Sequence, residues 1–203
     1  MEVKLTYFSS IIEDESINVA KKQLEKNEVS LSLYDRDGVA EMSLEEMISQ
    51  LYMTLSPALV QTIASGLLTN VLYDSIKDSF LTLSGSVKGK TYKRYYPRGR
   101  VKEFNADFGI KFKAGHHEFD LQLPPEMDDQ LKEVCIKKAF EFIKAEGPEK
   151  KVSFTDVKDM ADLQNHDFFY KKDYILKYNE ETGELDKIDL LDLIAKKREE
   201  GTL

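Results

Sequence analysis

The pattern of hydrophobic and polar residues along this chain includes one long stretch without any charge. Residues 47–73, MISQLYMTLSPALVQTIASGLLTNVLY, contain no Asp, Glu, Lys or Arg, although 33% of the chain is charged. Apolar residues recur here at helical spacing, first up to Leu55 and again from Val60 to Phe80. The pattern predicts two helices, at 43–55 and 57–80, the second about 36 Å long at about 1.5 Å per residue.

Local signals at the start of each helix support this prediction. Ser43 and Glu46 have the spacing of a capping box, in which each side chain bonds the backbone amide of the other residue. Ser56 and Pro57 suit the N-cap and the first helical position. Pro57 and the many Gln, Ser, Thr and Asn residues argue against a membrane span, which needs about 20 predominantly apolar residues. We therefore expect two packed amphipathic helices and no membrane segment.

Short alternating segments predict the strands. Val3 to Phe8 and Glu28 to Tyr34 have strand periodicity, with Val29, Leu31 and Leu33 facing inward in the second. Residues 107–113 and 117–123 form a predicted hairpin around Ala114-Gly115. Amphipathic helices are predicted at 17–26 and 126–144, the latter burying Val134 and Cys135 among others.

These elements predict an α+β fold. A mixed or antiparallel sheet is expected to pack against the long helix 57–80 and two further helices, 43–55 and 126–144. Gly147-Pro148 marks a change in composition, so we expect a main domain at 1–148 and a C-terminal extension at 149–203. The extension offers a helix at 155–163, strands at 174–178 and 185–188, and a last helix ending near Glu199. Its small apolar content predicts docking on the main domain.

Cysteine usage and the N-terminal pattern favour a reducing compartment. Cys135 is the single cysteine, which excludes an intramolecular disulfide framework. No basic region followed by an apolar one opens the chain, and MEVKLTYF has the pattern of a strand. We expect a cytoplasmic protein in which Cys135 is a small core residue.

Charge is unevenly distributed, and this gives the main candidate site. The net charge is −8, yet residues 88–103, KGKTYKRYYPRGRVKE, contain seven Lys or Arg against the single acid Glu103. Lysine and arginine can neutralise phosphates or acidic protein surfaces, and tyrosine rings can stack on unpaired bases. The residues expected to bind a partner or a phosphate are Lys88, Lys90, Tyr92, Lys93, Arg94, Tyr96, Arg98 and Arg100.

Three alternatives remain open for this basic segment. It binds nucleic acid, it binds an acidic protein or a nucleotide, or it is a solvated loop that pairs with acidic residues of its own fold. If the segment is extended, Lys90, Tyr92, Arg94 and Tyr96 share one face. Pro97 and Gly99 predict a flexible tip.

The sharpest enzymatic alternative is Asp35-Arg36-Asp37-Gly38-Val39, directly after a predicted strand. It resembles the first motif of haloacid-dehalogenase-like phosphatases. The resemblance implies Asp35 as nucleophile, Asp37 as general acid/base, and a bound Mg²⁺. Ser84 after FLTL could imitate the second motif. No paired acidic Mg²⁺ site follows late in the chain, since Asp128-Asp129 comes after two prolines. A plain Asp-Gly turn explains the same residues.

No metal or cofactor site is expected. His116, Glu118 and Asp120 alternate along a predicted strand and share one face, but same-face neighbours lie almost 7 Å apart, which is wide for one ion. Only His166 could complete such a site. An exposed polar face opposite Phe119 explains the pattern better.

The layout of residues 1–145 resembles that of a known family. The features that match are MEVKLTYF, VSLSLYD, IASGLLTNVLYDSIK and IKFKAGHHEFDLQLPPEMDDQL. Together they resemble the small effector-associated constant component of bacterial conflict and antiviral systems. The resemblance implies a non-enzymatic adaptor that recruits or regulates an effector, and it supplies no catalytic residue.

We therefore expect a non-enzymatic interaction or regulatory protein, adaptor-like, of a bacterial or phage conflict system, with a protein partner. The first alternative is a nucleic-acid-binding protein that uses the basic segment at 88–102. The second is a Mg-dependent phosphohydrolase built on Asp35 and Asp37. The sequence leaves self-association open.

Overall fold

A computed structural model describes residues 1–37, 49–95, 101–124, 126–147 and 172–200. The strands in these ranges are β1 (Glu2–Tyr7), β2 (Ser30–Asp35), β3 (Leu51–Leu55), β4 (Thr91–Tyr95), β5 (Val101–Asn105), β6 (Phe108–Ala114), β7 (His117–Leu123), β8 (Asp173–Asn179) and β9 (Glu184–Asp189). The helices are α1 (Asp14–Glu25), α2 (Pro57–Ala64), α3 (Asn70–Ser86), α4 (Asp129–Glu146) and α5 (Leu190–Glu199).

Seven of the strands form one mixed sheet in the order β2-β1-β3-β6-β7-β8-β9. The pairs β1–β2, β3–β6 and β7–β8 are parallel, and the remaining pairs are antiparallel. β4 and β5 form a separate two-stranded sheet. The predicted α+β class is confirmed, and the sheet is mixed.

The two faces of the sheet differ in chemistry. One face, here called the covered face, carries Leu5, Met53, Ile110 and Leu121, which align across four strands and are at most 1% exposed. Helices α1 to α4 pack on this side, and the Phe80 ring of α3 meets the Phe108 ring of β6 at 5.1 Å between centroids. The opposite face, here called the polar face, carries Lys4, Thr54, Lys111 and Asp120 in one row.

The predicted helix at 43–55 is wrong over its last turn, because residues 51–55 form β3. Leu51, Met53 and Leu55 are buried, whereas Tyr52 and Thr54 between them are half-buried. β3 pairs with β1 on one side and β6 on the other, so its backbone groups enter two hydrogen-bonded ladders. The apolar residues fit both periods over this short segment, and the tertiary pairing selects the strand. Residues 43–48 lie outside the described residues.

The predicted single helix at 57–80 is two helices. α2 begins as expected, with the Ser56 hydroxyl accepting from the Leu59 amide at 3.4 Å. It ends before Gly66, whose φ of 73° belongs to the left-handed region that favours glycine. Thr69 then caps α3 by accepting from the Leu72 amide at 3.3 Å. None of the described helices is long and apolar enough to cross a membrane.

Helices α1 and α4 each bury one apolar face, as the sequence pattern predicts. Ile17, Ala20 and Leu24 of α1 are buried, and the Ser79 hydroxyl of α3 donates to the Ala20 carbonyl at 3.1 Å. In α4 Cys135 is fully buried, so the prediction of a core thiol is confirmed, and burial raises its pKa to about 11. Val134, predicted to be buried, is instead 40% exposed because it lies on the outer side of α4.

The edges of the sheet come from distant parts of the chain. β2 is one edge strand, and Leu33, predicted to face the core, is 49% exposed there.

The predicted hairpin at 107–123 is confirmed as β6–β7, with Gly115 in its turn. The C-terminal strands and last helix are confirmed as β8, β9 and α5, and β8 pairs with β7 in the same sheet. The predicted helix at 155–163 lies outside the described residues.

Candidate functional site

The described part of the basic segment, residues 88–95 and 101–102, belongs to a two-stranded antiparallel unit that we call the basic arm. It begins after α3, turns at Gly89 with a φ of 71°, and continues as β4, which pairs antiparallel with β5. The Ala106 amide donates to the Lys90 carbonyl at 2.8 Å and closes its base. Because β4 and β5 pair with each other and with no strand of the large sheet, the arm is a distinct element of the described fold.

The Tyr92 ring anchors the arm to the main body. It stacks on Phe8 at 5.5 Å between centroids and on Phe104 at 5.7 Å, with interplanar angles of 22° and 24°. Aromatic pairs in this geometry contribute about 0.5–1.5 kcal/mol beyond the area they bury. Tyr92 therefore has a packing role within the chain, since its ring stacks on two aromatic neighbours.

Lys90 also contacts its own chain. Its ammonium donates to the Ile11 carbonyl at 2.8 Å and to the Glu13 carboxylate at 3.1 Å. This fixes the base of the arm to the loop that precedes α1. Of the eight predicted binding residues, Lys90 and Tyr92 are thus engaged in holding the arm in place.

Lys88 and Lys93 are exposed on the arm. Lys93 lies opposite Glu103, whose carboxylate accepts from the Thr91 hydroxyl at 2.6 Å. The backbone of Arg94 lies opposite Lys102, which places two cationic residues at one register position of the hairpin. Tyr96, Arg98 and Arg100 lie outside the described residues.

Asp35 and Asp37, the candidate phosphatase residues, form hydrogen bonds with the loop that follows β1. Asp35 Oδ1 accepts from the Ser9 and Asp37 amides at 3.1 and 3.0 Å. Asp37 accepts from the Ser10 amide at 2.6 Å and from the hydroxyls of Ser9 and Ser10. Burial acts to raise the pKa of Asp35, but these donors outweigh it and the pKa lies below its usual value. Both carboxylates thus tie two parallel strand ends together.

The other elements of the phosphatase motif are placed differently from the family pattern. Ser84 is buried inside α3 and does not follow a strand. Asp128 caps α4 by accepting from the Leu131 amide at 2.8 Å. Gly38 and Val39 lie outside the described residues.

The three residues weighed as metal ligands do not form one row. His116 lies in the β6–β7 turn, whereas Glu118 and Asp120 lie on β7. Within the described ranges no group of three or more His, Cys, Asp or Glu residues is arranged to hold a metal ion. Asp120, expected on an exposed face, is only 5% exposed, so that expectation is wrong at this residue.

Asp120 belongs to a buried polar cluster that the sequence did not reveal. Its Oδ2 accepts from the Ser49 amide at 2.7 Å and lies 4.0 Å from the Lys111 ammonium. That ammonium lies 3.7 Å from the centroid of the Tyr52 ring. Burial raises the pKa of Asp120, and Lys111 acts in the opposite direction.

Asp107 adds a second carboxylate to the cluster. It accepts from the Gln50 amide at 3.4 Å, and the buried Gln50 side chain in turn accepts from Arg36 at 3.4 Å. Burial, together with the nearby charge of Asp120, raises the pKa of Asp107 to about 6. Perturbed carboxylates of this kind gather at functional sites, although structural networks perturb pKa values as well.

One sequence signal could have located this cluster. Gly109 interrupts an alternating strand, and a Cβ at that position would meet the Ser49 side chain and lie 2.9 Å from Asp120 Oδ1. A glycine inside a strand often marks close approach of another group. Here Ser49 and Asp120 occupy the space that a side chain at 109 would need.

Comparison with known proteins gave no relative: no family model, curated protein or solved structure matches this chain.

Proposed function

We propose that this chain is a non-enzymatic interaction protein that docks its basic arm on an acidic surface of a partner protein. The observation that carries this proposal is the anchoring of the arm. Tyr92 stacks on Phe8 and on Phe104, and Lys90 is hydrogen-bonded to Ile11 and Glu13. These contacts fix the base while Lys88 and Lys93 face solvent.

A fixed cationic hairpin on an acidic protein suits electrostatic docking. The chain as a whole carries −8, so an acidic partner is repelled by most of the surface and attracted at the arm. Such complementarity sets orientation and raises the association rate, and salt weakens both.

A protein partner is favoured over nucleic acid by the position of Tyr92. Single-stranded nucleic acid binds by stacking bases on aromatic rings beside cationic side chains. The Tyr92 ring already stacks on two other rings of this chain, so less of it is available to an incoming base. The adaptor role in a bacterial or phage conflict system rests on the sequence resemblance and is part of the proposal.

The test is a reconstituted complex with charge-reversal variants. A partner retained by the tagged protein from its own host is purified and its affinity is measured by titration calorimetry. We expect the double variant Lys88→Glu/Lys93→Glu to weaken binding at least about tenfold. The matched control Lys22→Glu/Lys26→Glu changes the net charge equally at exposed positions near the C-terminal end of α1 and should bind as the wild type does.

Two results would overturn the proposal. Equal weakening by both double variants would show that total charge, not the arm, determines binding. Retention of nucleic acid in place of protein, with log affinity falling linearly with log salt, would move the function to the nucleic-acid alternative.

A further inference from the structure

A groove of about 550 Å³ lies on the polar face of the sheet. It crosses β1, β3, β6, β7 and β8, and the first residue of α5 forms part of its wall. The side chains that matter below are Tyr52, Lys111, Asp120, Ile175 and Leu190. None of these residues belongs to the basic arm, so the groove is a separate surface.

Lys111 and Asp120 face each other across β6 and β7, and no hydrogen bond joins the two side chains. They are directly opposite in register, yet Nζ and Oδ2 are 4.0 Å apart, too far for a hydrogen bond. Asp120 is 5% exposed, and its Oδ2 accepts from the Ser49 amide. Its Oδ1 is buried over Gly109, and the side chains of Ser49 and Gln122 also donate to the carboxylate.

A carboxylate can accept about four hydrogen bonds, and an ammonium can donate three. Three donors reach Asp120, so one acceptor position of its carboxylate remains, and among the described residues the Lys111 ammonium, held over the Tyr52 ring, donates no hydrogen bond. A buried polar group without its partners is destabilising, more so when it is charged. A bound group that supplies one acceptor and one adjacent donor would satisfy both residues.

We propose that this groove binds a small neutral molecule bearing a carboxamide or cyclic amide. Lys111 donates to the amide oxygen, and Asp120 Oδ2 accepts from the amide N–H. The apolar body of the molecule packs against Leu190 at the wall, beside the buried Ile175, the cross-strand neighbour of Asp120. Apolar walls with a few convergent polar groups are typical of small-molecule sites.

The Lys111–Asp120 pair is the reason to expect an uncharged ligand. An anionic group bonded to Lys111 would lie beside the Asp120 carboxylate, and a cationic group bonded to Asp120 would lie beside the Lys111 ammonium. Like charges at such short range in a partly desolvated groove are unfavourable. An amide provides the same acceptor and donor without either repulsion.

A neutral, an anionic and a cationic ligand can be distinguished with three probes of similar shape: benzamide, benzoate and benzylamine. Each is titrated into the full-length, ¹⁵N-labelled protein while backbone amide shifts are followed by NMR. We expect benzamide to bind in the millimolar range, as is typical of a fragment of this size. The saturating shifts should centre on Tyr52, Lys111, Asp120 and Ile175, and the two charged probes should bind at least about tenfold more weakly.

Two variants and one control test the assignment of residues. Lys111→Met keeps the aliphatic stem and should weaken benzamide binding at least about tenfold. Lys113→Met is the matched control, because Lys113 lies on the same strand and face but already pairs with Glu118 at 3.2 Å. It should bind as the wild type does. Leu190→Trp leaves the polar pair intact and fills the groove, so it should abolish binding.

Several outcomes would overturn the proposal. These are the absence of saturable shifts with benzamide, equal binding of benzoate or benzylamine, and equal loss in Lys113→Met. If Lys111→Met does not fold, Leu190→Trp decides, since unchanged benzamide binding in that variant would place the ligand elsewhere. The basic arm takes no part in these measurements, so the groove and the partner complex fail or succeed separately.

Discussion

The Lys187 ammonium lies 4.2 Å from the centroid of the Tyr174 ring, which places a cation from β9 over an aromatic ring of β8. Phe119 of β7 and Phe142 of α4 lie at 5.2 and 5.9 Å from the same ammonium. Glu146 at the end of α4 pairs with it at 3.7 Å. Lys187 therefore connects the C-terminal hairpin β8–β9 to the main body through three rings and one carboxylate.

Replacing Lys187 with Met should destabilise the protein by about 1 kcal/mol, because cation–π contacts and a half-exposed ion pair are each worth about 0.5–1 kcal/mol. The free energy of unfolding from urea denaturation measures this. Lys177→Met is the control, since Lys177 is an exposed lysine on the polar face of the same hairpin. Equal losses in the two variants would mean that the rings around Lys187 contribute nothing specific.

His117 should make the docking of β8 sensitive to acid. Its Nδ1 accepts from the Lys172 amide at 3.3 Å, which requires a neutral ring. Burial and the nearby Lys187 cation lower the pKa of His117 below its usual 6.5. A lowered pKa means that the unfolded chain binds the proton first, so stability is lost as the pH falls below about 6.5.

The measurement for His117 is the difference in unfolding free energy between wild type and His117→Gln at several pH values. We expect the variant to lose less stability than the wild type between pH 7.5 and pH 5. Hydrogen exchange of the β8 amides should also quicken in the wild type over this range. Parallel pH profiles of the two proteins would exclude a role for His117.

Protonation of Asp107 should have the opposite effect on stability to that of His117. Burial raises its folded-state pKa to about 6 from the 3.8 of a free carboxyl, so the folded protein takes up a proton before the unfolded chain does. Its charged form costs about 3 kcal/mol at pH 7, and this cost is relieved as the pH falls from about 7 toward 4. Asp107→Asn should remove this dependence, giving a flatter profile than wild type in urea denaturation. A profile unchanged by the substitution would show that Asp107 titrates like an exposed carboxyl.

Gly109→Ala should destabilise the protein by about 1–3 kcal/mol, the usual range for overpacking. The new Cβ would meet the Ser49 side chain and lie 2.9 Å from Asp120 Oδ1, where little space is available. Gly85→Ala is the matched control, because no atom lies within 4 Å of a Cβ at that helical position. It should stabilise the protein by up to about 1 kcal/mol through helix propensity. Thermal unfolding of both variants checks the pair, and a neutral Gly109→Ala would show that the cluster can rearrange freely.

Local chemistry made a large part of this fold predictable. Ser56-Pro57 marks the start of α2 in the sequence, and the alternation on both sides of Ala114-Gly115 defines the β6–β7 hairpin. The apolar stripe of α4 places Cys135 in the core. Each of these depends on neighbours within a few residues, so each can be inferred before the chain is folded.

The remaining features depend on contacts between distant segments. Leu51 to Leu55 fits a helix or a strand, and pairing with β1 and β6 makes it a strand. The sequence around Tyr92 is typical of a nucleic-acid contact, but in the folded chain Phe8 packs on the Tyr92 ring. Asp120 is polar and alternates with apolar residues, yet it is buried because Ser49, just before β3, and Lys111 of β6 meet it. The sequence by itself determined the periodicity, caps and turns of individual elements. Only the tertiary structure decided which polar residues lose contact with water, because that depends on the elements packed around them.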